Sequence, residues 1–394
     1  MTYIAAVGAV NSLGQDITEI SHNLALNYNA HHHLVERSGW LLHDKRAWFG
    51  EASQQLACIP KQLAKFNSRN NQLIYTAYLQ IEHTVEKAIK QFGKQKIAVI
   101  MGTSTSGIHE GDLAVKQQLQ SNTLPNGYYY NQQELGDPAS FLATLLDLKG
   151  PAYTISTACT SSARAIISGK RLIESGLVDA AIVGGADSFS RMPINGFLAL
   201  ESMSDKPCMP FAQARDGINI GEAGALFLLT KDASGDIAIL GTGESSDAHH
   251  ISAPHPQGIG AEKAMVNALQ DAKLTPNDIG YINLHGTATP LNDQAESAAV
   301  YRVFHGSNAV CSSTKHLTGH TLGTAAATEL AISYILMSQK IALPQQDFSL
   351  SPYDPNLADI AMVTQKMILE QPIIMSNSFA FGGNNASLII GTHK

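Results

Sequence analysis

The chain has 394 residues, of which 44% are hydrophobic and 15% charged, with a formal net charge of −7. That length suits two packed domains or one large α/β body, and the acidic balance argues against a nucleic-acid or membrane-surface role. Cys58, Cys159, Cys208 and Cys311 form no CxxC pair and read as reduced thiols of a cytoplasmic protein; no apolar run is long enough to span a bilayer.

In chain order, the opening MTYIAAVGAVNSLG lacks the positive flank of a signal peptide and reads as a first strand turning at Asn11–Gly14. His31–His33 has no second ligand set at zinc-like spacing and reads as a surface loop. Lys61, Lys65 and Arg69 fall at near-helical spacing. IAVIMGTSTSG is a buried strand running into a glycine-bearing loop, followed by the polar, aromatic YYYNQQ and a helix from Pro138 to Leu146. PAYTISTAC is a strand that delivers Cys159, and ARAIISGKRLIES is a helix stopped at Gly176. DAAIVGGADS and GEAGALFLLT are further strands, and KDASGD is a loop between halves. The second half repeats the style, with strand IAILGTGESS, helix EKAMVNALQDAKL and strand GYINLHGTATP ending at His285. Helix QAESAAVYRVF, a small-residue helix through TAAATELAISYIL and two closing strands about AFGGNN complete it. This is the alternation of an α/β protein, with polar residues at the C-terminal ends of buried strands, where ligands bind.

Three junctions carry reactive side chains: Cys159 in STACTSSARA, His285 in LHGTATP and His320 in STKHLTGH. The residues around Cys159 have almost no bulk, which a packing cysteine does not need and a closely approached backbone does. At the turn into a helix, unpaired N–H groups and the helix dipole favour a thiolate. A cysteine with two histidines on separate segments is a candidate nucleophile with acid–base partners. Lys315 and Glu296 stand near enough in sequence to set the local field. AFGGNN has the composition of a loop whose N–H groups face a ligand, supplying half of an oxyanion hole with the N–H of Cys159 as the other half. DAHHISAPH matches no compact metal site, and no glycine run forms a nucleotide-binding loop.

Taken together, TACTSSARA, LHGTATPLND, SSTKHLTGHTLGTAAATE and NSFAFGGNNASL closely resemble the β-ketoacyl-[acyl-carrier-protein] synthases of the thiolase-like superfamily, over nearly the whole chain. The resemblance implies a thiolase-like α/β fold of two similar α-β-α-β-α halves stacked as five layers, here 1–232 and 233–394, with the active site between them. By position it implies Cys159 as nucleophile, His285 and His320 as the histidine pair, and Lys315 as the active-site lysine with Glu296 as its buried glutamate partner. Phe381 matches the gating phenylalanine, and Thr287 and Thr289 the threonines that bind a phosphopantetheine arm. The implied reaction is decarboxylative condensation of malonyl carrier protein with an acyl chain held on Cys159, without metal or redox cofactor.

Two departures stand out: Ala288 replaces a common serine, and His109 sits where the family's acyl-pocket floor is a plain hydrophobe. With the aromatic YYYNQQ, His109 suggests a flat or polar acyl chain, such as a polyene or polyketide intermediate, and not a simple saturated one. The expected partners are acyl- and malonyl-carrier proteins and a second subunit, giving a homodimer or a heterodimer with a paralogue. An acidic carrier needs a local basic face, for which Lys61, Lys65 and Arg69 are the first choice and Lys206 the second. The competing readings are a thiolase, a chain-length-factor-like partner subunit and a cysteine hydrolase. A thiolase would want a second cysteine near the glycine turn, and a chain-length factor normally lacks the nucleophile. A hydrolase would release free acid and no carbon dioxide.

Overall fold

In a computed structural model, which describes residues 1–26, 33–233 and 235–392, ten strands hydrogen-bond into one continuous sheet made of two five-stranded halves. The first half contains, in chain order, Thr2–Val10, Ile97–Gly102, Ala152–Ile155, Ala180–Asp187 and Ala223–Thr230. The second contains Ile237–Ser246, Tyr281–Asn283, Val310–Ser312, Ile373–Phe379 and Asn384–Thr392. Counted outward from the junction, each half lays its strands down in the same order: first, fifth, fourth, second, third. In each, the second strand is parallel to the third and fourth, and the fifth is antiparallel to its neighbours. Among the described residues, the two half-sheets pair through Thr2 with Ile239 and Tyr3 with Ala238.

Strands Ile97–Gly102, Ala180–Asp187 and Ala223–Thr230 are buried at every residue, as strands covered on both faces must be. Helices Arg69–Leu79, Glu82–Phe92 and Asp137–Leu145 form the outer layer of the first half around Leu73, Val85 and Phe141. Helices Ile259–Ala272 and Pro290–Phe304 form that of the second around Met265 and Val300. Between the halves lie Ser161–Glu174 and Ala325–Gln339, whose side chains share one core with strands of both. The layers are therefore α-β-α-β-α, the expected thiolase-like stack.

Ala325–Gln339 is apolar nearly all round because it is enclosed all round. The Ser162 hydroxyl accepts a 3.0 Å hydrogen bond from the Ala327 amide. Only small residues on both helices permit so close an approach, which accounts for the low bulk after Cys159.

The near-helical spacing of Lys61, Lys65 and Arg69 does not make one helix. Lys61–Phe66 is a 3₁₀ segment broken at Leu63, and the α-helix starts afresh at Arg69, capped by the Ser68 hydroxyl on the Asn71 amide. Of the histidine triple, His31 and His32 lie outside the described residues.

Candidate active site

Cys159 sits where the third strand of the first half hands over to Ser161–Glu174. The residue before it, Ala158, is in the left-handed region at φ 52°, a conformation that costs an L-residue about 1–2 kcal/mol. Local hydrogen bonds hold it there: the Ala158 carbonyl accepts from both the amide and the hydroxyl of Ser161, at 3.0 and 2.6 Å. From the second half, the Ser378 hydroxyl donates to the Cys159 carbonyl at 2.8 Å. The backbone N–H groups of Phe381 and Cys159 both lie against the sulfur, where an oxyanion hole would need them.

Burial nevertheless decides the protonation state. The Cys159 thiol is pushed up to about 11, because desolvation outweighs the Lys315 charge and these amides. The thiolate expected from the helix terminus alone is thus corrected to a neutral thiol at rest. Its sulfur stands 3.0 Å from His320 Nε2, within reach for handing over a proton as it attacks.

His285 follows the second strand of the second half, and its ring lies edge-on to that of His320 with centroids 5.4 Å apart. Both imidazoles are held well below their usual pKa by burial and by the Lys315 charge, so both are neutral at physiological pH. Lys315 Nζ stands 3.3 Å from His285 Nδ1 and also donates to the His285 carbonyl. An ammonium has only donors, so Nδ1 accepts and the His285 proton belongs on Nε2. His320 is pinned from the first half: its amide donates to the Asn219 carbonyl at 2.7 Å, and its carbonyl accepts from Gly221 at 2.9 Å. A Cβ at Gly221 would fall 2.2 Å from the Thr318 carbonyl oxygen, so this contact requires glycine.

The carboxylate partner of Lys315 is Glu329, from within Ala325–Gln339, and not Glu296. Glu296 has a different task. Its two carboxylate oxygens accept the amides of His285 and Gly286, each at 2.7 Å. Asp293, one turn earlier on the same helix, accepts the amides of Phe211 at 2.8 Å and Ala288 at 3.2 Å. Ala288, at φ 66°, needs such a clamp. Glu296 lies beneath the loop that carries His285, whereas Lys315 faces the central helix. A glutamate inside the otherwise small and apolar TAAATELAISYIL run was the available signal for Glu329, since a buried carboxylate needs a cation.

Above these groups opens a cavity of about 280 Å³, lined by Cys159, His285, His320, Thr287, Thr289 and Phe381 among others. The Thr287 and Thr289 hydroxyls lie 2.9 Å apart along its wall. Phe381 precedes two glycines at φ 81° and 75° and packs its ring 5.4 Å from that of Phe197. Gly382 N–H donates to the Ile251 carbonyl at 2.9 Å, tying this turn to the loop at the cavity mouth.

His109 is not among the lining residues of that cavity. It is the second residue of helix Ile108–Ser121 and packs half-buried against Trp40, centroids 5.3 Å apart. Trp40 in turn meets Phe189 at 5.5 Å, in an apolar cluster that includes Ile218 and Phe197 of the cavity wall. Tyr129 and Tyr130 are exposed. Lys61 and Lys65 are exposed as a docking face requires, but Arg69 is not free: its guanidinium pairs with buried Glu222 at 2.8 and 2.5 Å. As the first residue of its helix it turns inward, which corrects its assignment to carrier docking.

Residues 3–234 match the β-ketoacyl synthase N-terminal domain and residues 237–349 the C-terminal domain. A 3-oxoacyl-[acyl-carrier-protein] synthase 2 of Staphylococcus aureus is 29% identical over 347 residues, 84% of this chain and 83% of that protein. The corresponding protein of Coxiella burnetii is 35% identical over 260 residues, 62% of each. Among solved structures, a ketosynthase from Xenorhabdus doucetiae, described as ApeO in complex with its chain length factor ApeC, superposes with a TM-score of 0.96. It shares 53% identity over 100% of this chain and 98% of that one. With both domains matched in order and a cysteine–histidine–histidine constellation at the meeting point of the two halves, the chain belongs to the β-ketoacyl synthase family.

Proposed function

We propose that this chain is a β-ketoacyl-[acyl-carrier-protein] synthase that extends an acyl chain held as a thioester on Cys159. The observation that carries it is the contact of the Cys159 sulfur with His320 Nε2, at the base of a cavity, with the amides of Cys159 and Phe381 on the sulfur. In the first half-reaction the Cys159 sulfur attacks the carrier thioester while His320 takes its proton. The proton passes to the departing pantetheine sulfur, and the oxyanion faces the Cys159 and Phe381 amides. In the second, malonyl carrier protein loses carbon dioxide. The electron pair of the broken C–C bond becomes an enolate stabilised by N–H donation from His285, whose proton Lys315 sets on Nε2. The carbanion then attacks the acyl carbonyl, and the Cys159 sulfur leaves as a thiolate that takes a proton from water to restore the resting thiol. A role for Thr287 and Thr289 in steadying the pantetheine arm is supported by their hydroxyls on the cavity wall. Purified protein mixed with acyl- and malonyl-carrier proteins should yield carbon dioxide and a β-ketoacyl carrier by mass spectrometry. Free acid without carbon dioxide would sink the proposal in favour of a hydrolase.

The full triad weighs against a chain-length-factor role for this chain, and NSFAFGGNN offers no second cysteine to support a thiolase. A division at 232/233 is supported by the repeated strand order, and a cytoplasmic location by four free cysteines. No helix among the described residues is long and apolar enough to cross a membrane. A second subunit is supported by the outer edge strand Ala152–Ile155 and by exposed Leu113, Val115 and Leu119 on Ile108–Ser121. The Xenorhabdus doucetiae ketosynthase is described with a chain length factor, which favours a paralogous partner over a second copy; co-expression and native mass spectrometry separate the two. A flat acyl chain is supported by Phe197, Phe379 and Phe381 in the cavity wall. A clear preference for saturated over conjugated acyl carriers would refute it. For carrier docking, Lys65→Glu should raise KM for carrier-bound substrate and spare a small thioester mimic; equal losses would exclude this face.

A further inference from the structure

Asn292 lies in the first turn of helix Pro290–Phe304, just before Asp293 and one turn before Glu296, the carboxylates that hold the loop carrying His285. Its side-chain nitrogen stands 3.1 Å from Asp293 Oδ1 and 3.4 Å from Glu296 Oε2. An amide NH₂ has two hydrogens, and here each has its own acceptor. The flipped amide would set Oδ1 against the same two oxygens, which already accept the Ala288 and Gly286 amides. The two carboxylates therefore fix which end of Asn292 is oxygen. Among the described residues none donates to that Oδ1, and half-buried Asn292 lines the Cys159 cavity beside Thr287 and Thr289.

A carbonyl oxygen held at a cavity wall accepts an N–H and disfavours carboxylate or phosphate. The pantetheine arm of a carrier thioester brings two secondary amides, each with one N–H and one C=O. Of the paired Thr287 and Thr289 hydroxyls, one donates to the other, which leaves one O–H to donate outward to a carbonyl. Asn292 supplies the complementary acceptor, so this wall offers partners for both polar groups of an amide. We propose that Asn292 Oδ1 accepts an amide N–H of the pantetheine arm and selects pantetheine thioesters over those lacking it. The assignment rests on the β-ketoacyl synthase reading above. Asp293 and Glu296 then act twice, holding the His285 loop and aiming the acceptor.

The test is self-acylation of Cys159 in the full chain, followed by mass spectrometry over a range of acyl-pantetheine concentrations. Two analogues replace each arm amide in turn by an ester, which deletes the N–H. In the wild type one of the two esters should lose roughly 2–12-fold in kcat/KM, the scale of one neutral hydrogen bond. Asn292→Ala should lose a similar factor on the amide substrate, mainly through KM, and its amide-to-ester ratio should fall towards one. A purely structural role would slow all three substrates alike and preserve the ratio, which overturns the proposal. Equal rates for the amide and both esters in the wild type overturn it as well, and that comparison needs no variant to fold. Absence of acylation by all three substrates removes the synthase reading and this assignment with it, so the two failures are told apart.

Discussion

The two halves lay down five strands in one order, yet chemistry falls unevenly on their equivalent junctions. After its third strand the first half places Cys159 and the central helix Ser161–Glu174. After its own third strand the second half places Lys315, His320 and the central helix Ala325–Gln339. After the second strand, the second half places His285, whereas the first places Thr103–Thr105. Those residues hydrogen-bond to buried Asp187, as does Thr324 at the start of the second central helix. One scaffold thus supplies a strained nucleophile from one side and neutral imidazoles from the other. Three of the four junctions are clamped by a buried carboxylate: Thr103–Thr105 by Asp187, the His285 loop by Glu296 and Lys315 by Glu329. The repeat positions the junctions, and a handful of residues decides what they do.

The two halves differ most in function at Cys159. Cys159→Ala should abolish self-acylation seen by mass spectrometry and lower turnover by about 10⁴-fold or more, the scale of losing a nucleophile. The two histidines should separate next. His320→Ala should slow self-acylation by about 10²–10⁴-fold, because Nε2 touches the sulfur at 3.0 Å. His285→Ala should spare self-acylation and lose malonyl decarboxylation to a similar extent. The carboxylates should divide by partner. Glu329→Ala leaves the Lys315 ammonium buried and unpaired, which costs about 3–5 kcal/mol of stability and should show as a large fall in Tm. Glu296→Gln keeps one acceptor for the loop amides and should cost about 1–2 kcal/mol, with activity lost through His285 positioning.

The smallest expected effect is one of pH. Burial raises the Glu296 carboxyl from 4.5 to about 7, so the folded state holds its proton more tightly than the unfolded one. Its contribution to folding is therefore full below pH 4.5 and declines as pH rises towards 7. Over that range Tm of the wild type should fall more steeply than that of Glu296→Gln; parallel curves would show that Glu296 does not titrate there.

Cys159, His285, His320 and Lys315 each sit beside a strand end or a small-residue helix, a local signature, and the structure brings all four together. The partner of Lys315 was misread because sequence proximity to His285 favoured Glu296, whereas the ion pair is chosen by which helix face meets the lysine. Arg69 was misread for a similar reason: its spacing from Lys65 is right, but a 3₁₀ break rotates it towards Glu222.

Local order and the identity of the reactive groups were determined by the sequence alone, because periodicity, glycine turns and residue bulk act within a few neighbours. Tertiary structure alone decided which charges pair, that Cys159 rests as a thiol, and which proton His285 keeps. Those depend on burial and on atoms brought together from opposite halves of the chain, and desolvation has no expression in sequence distance.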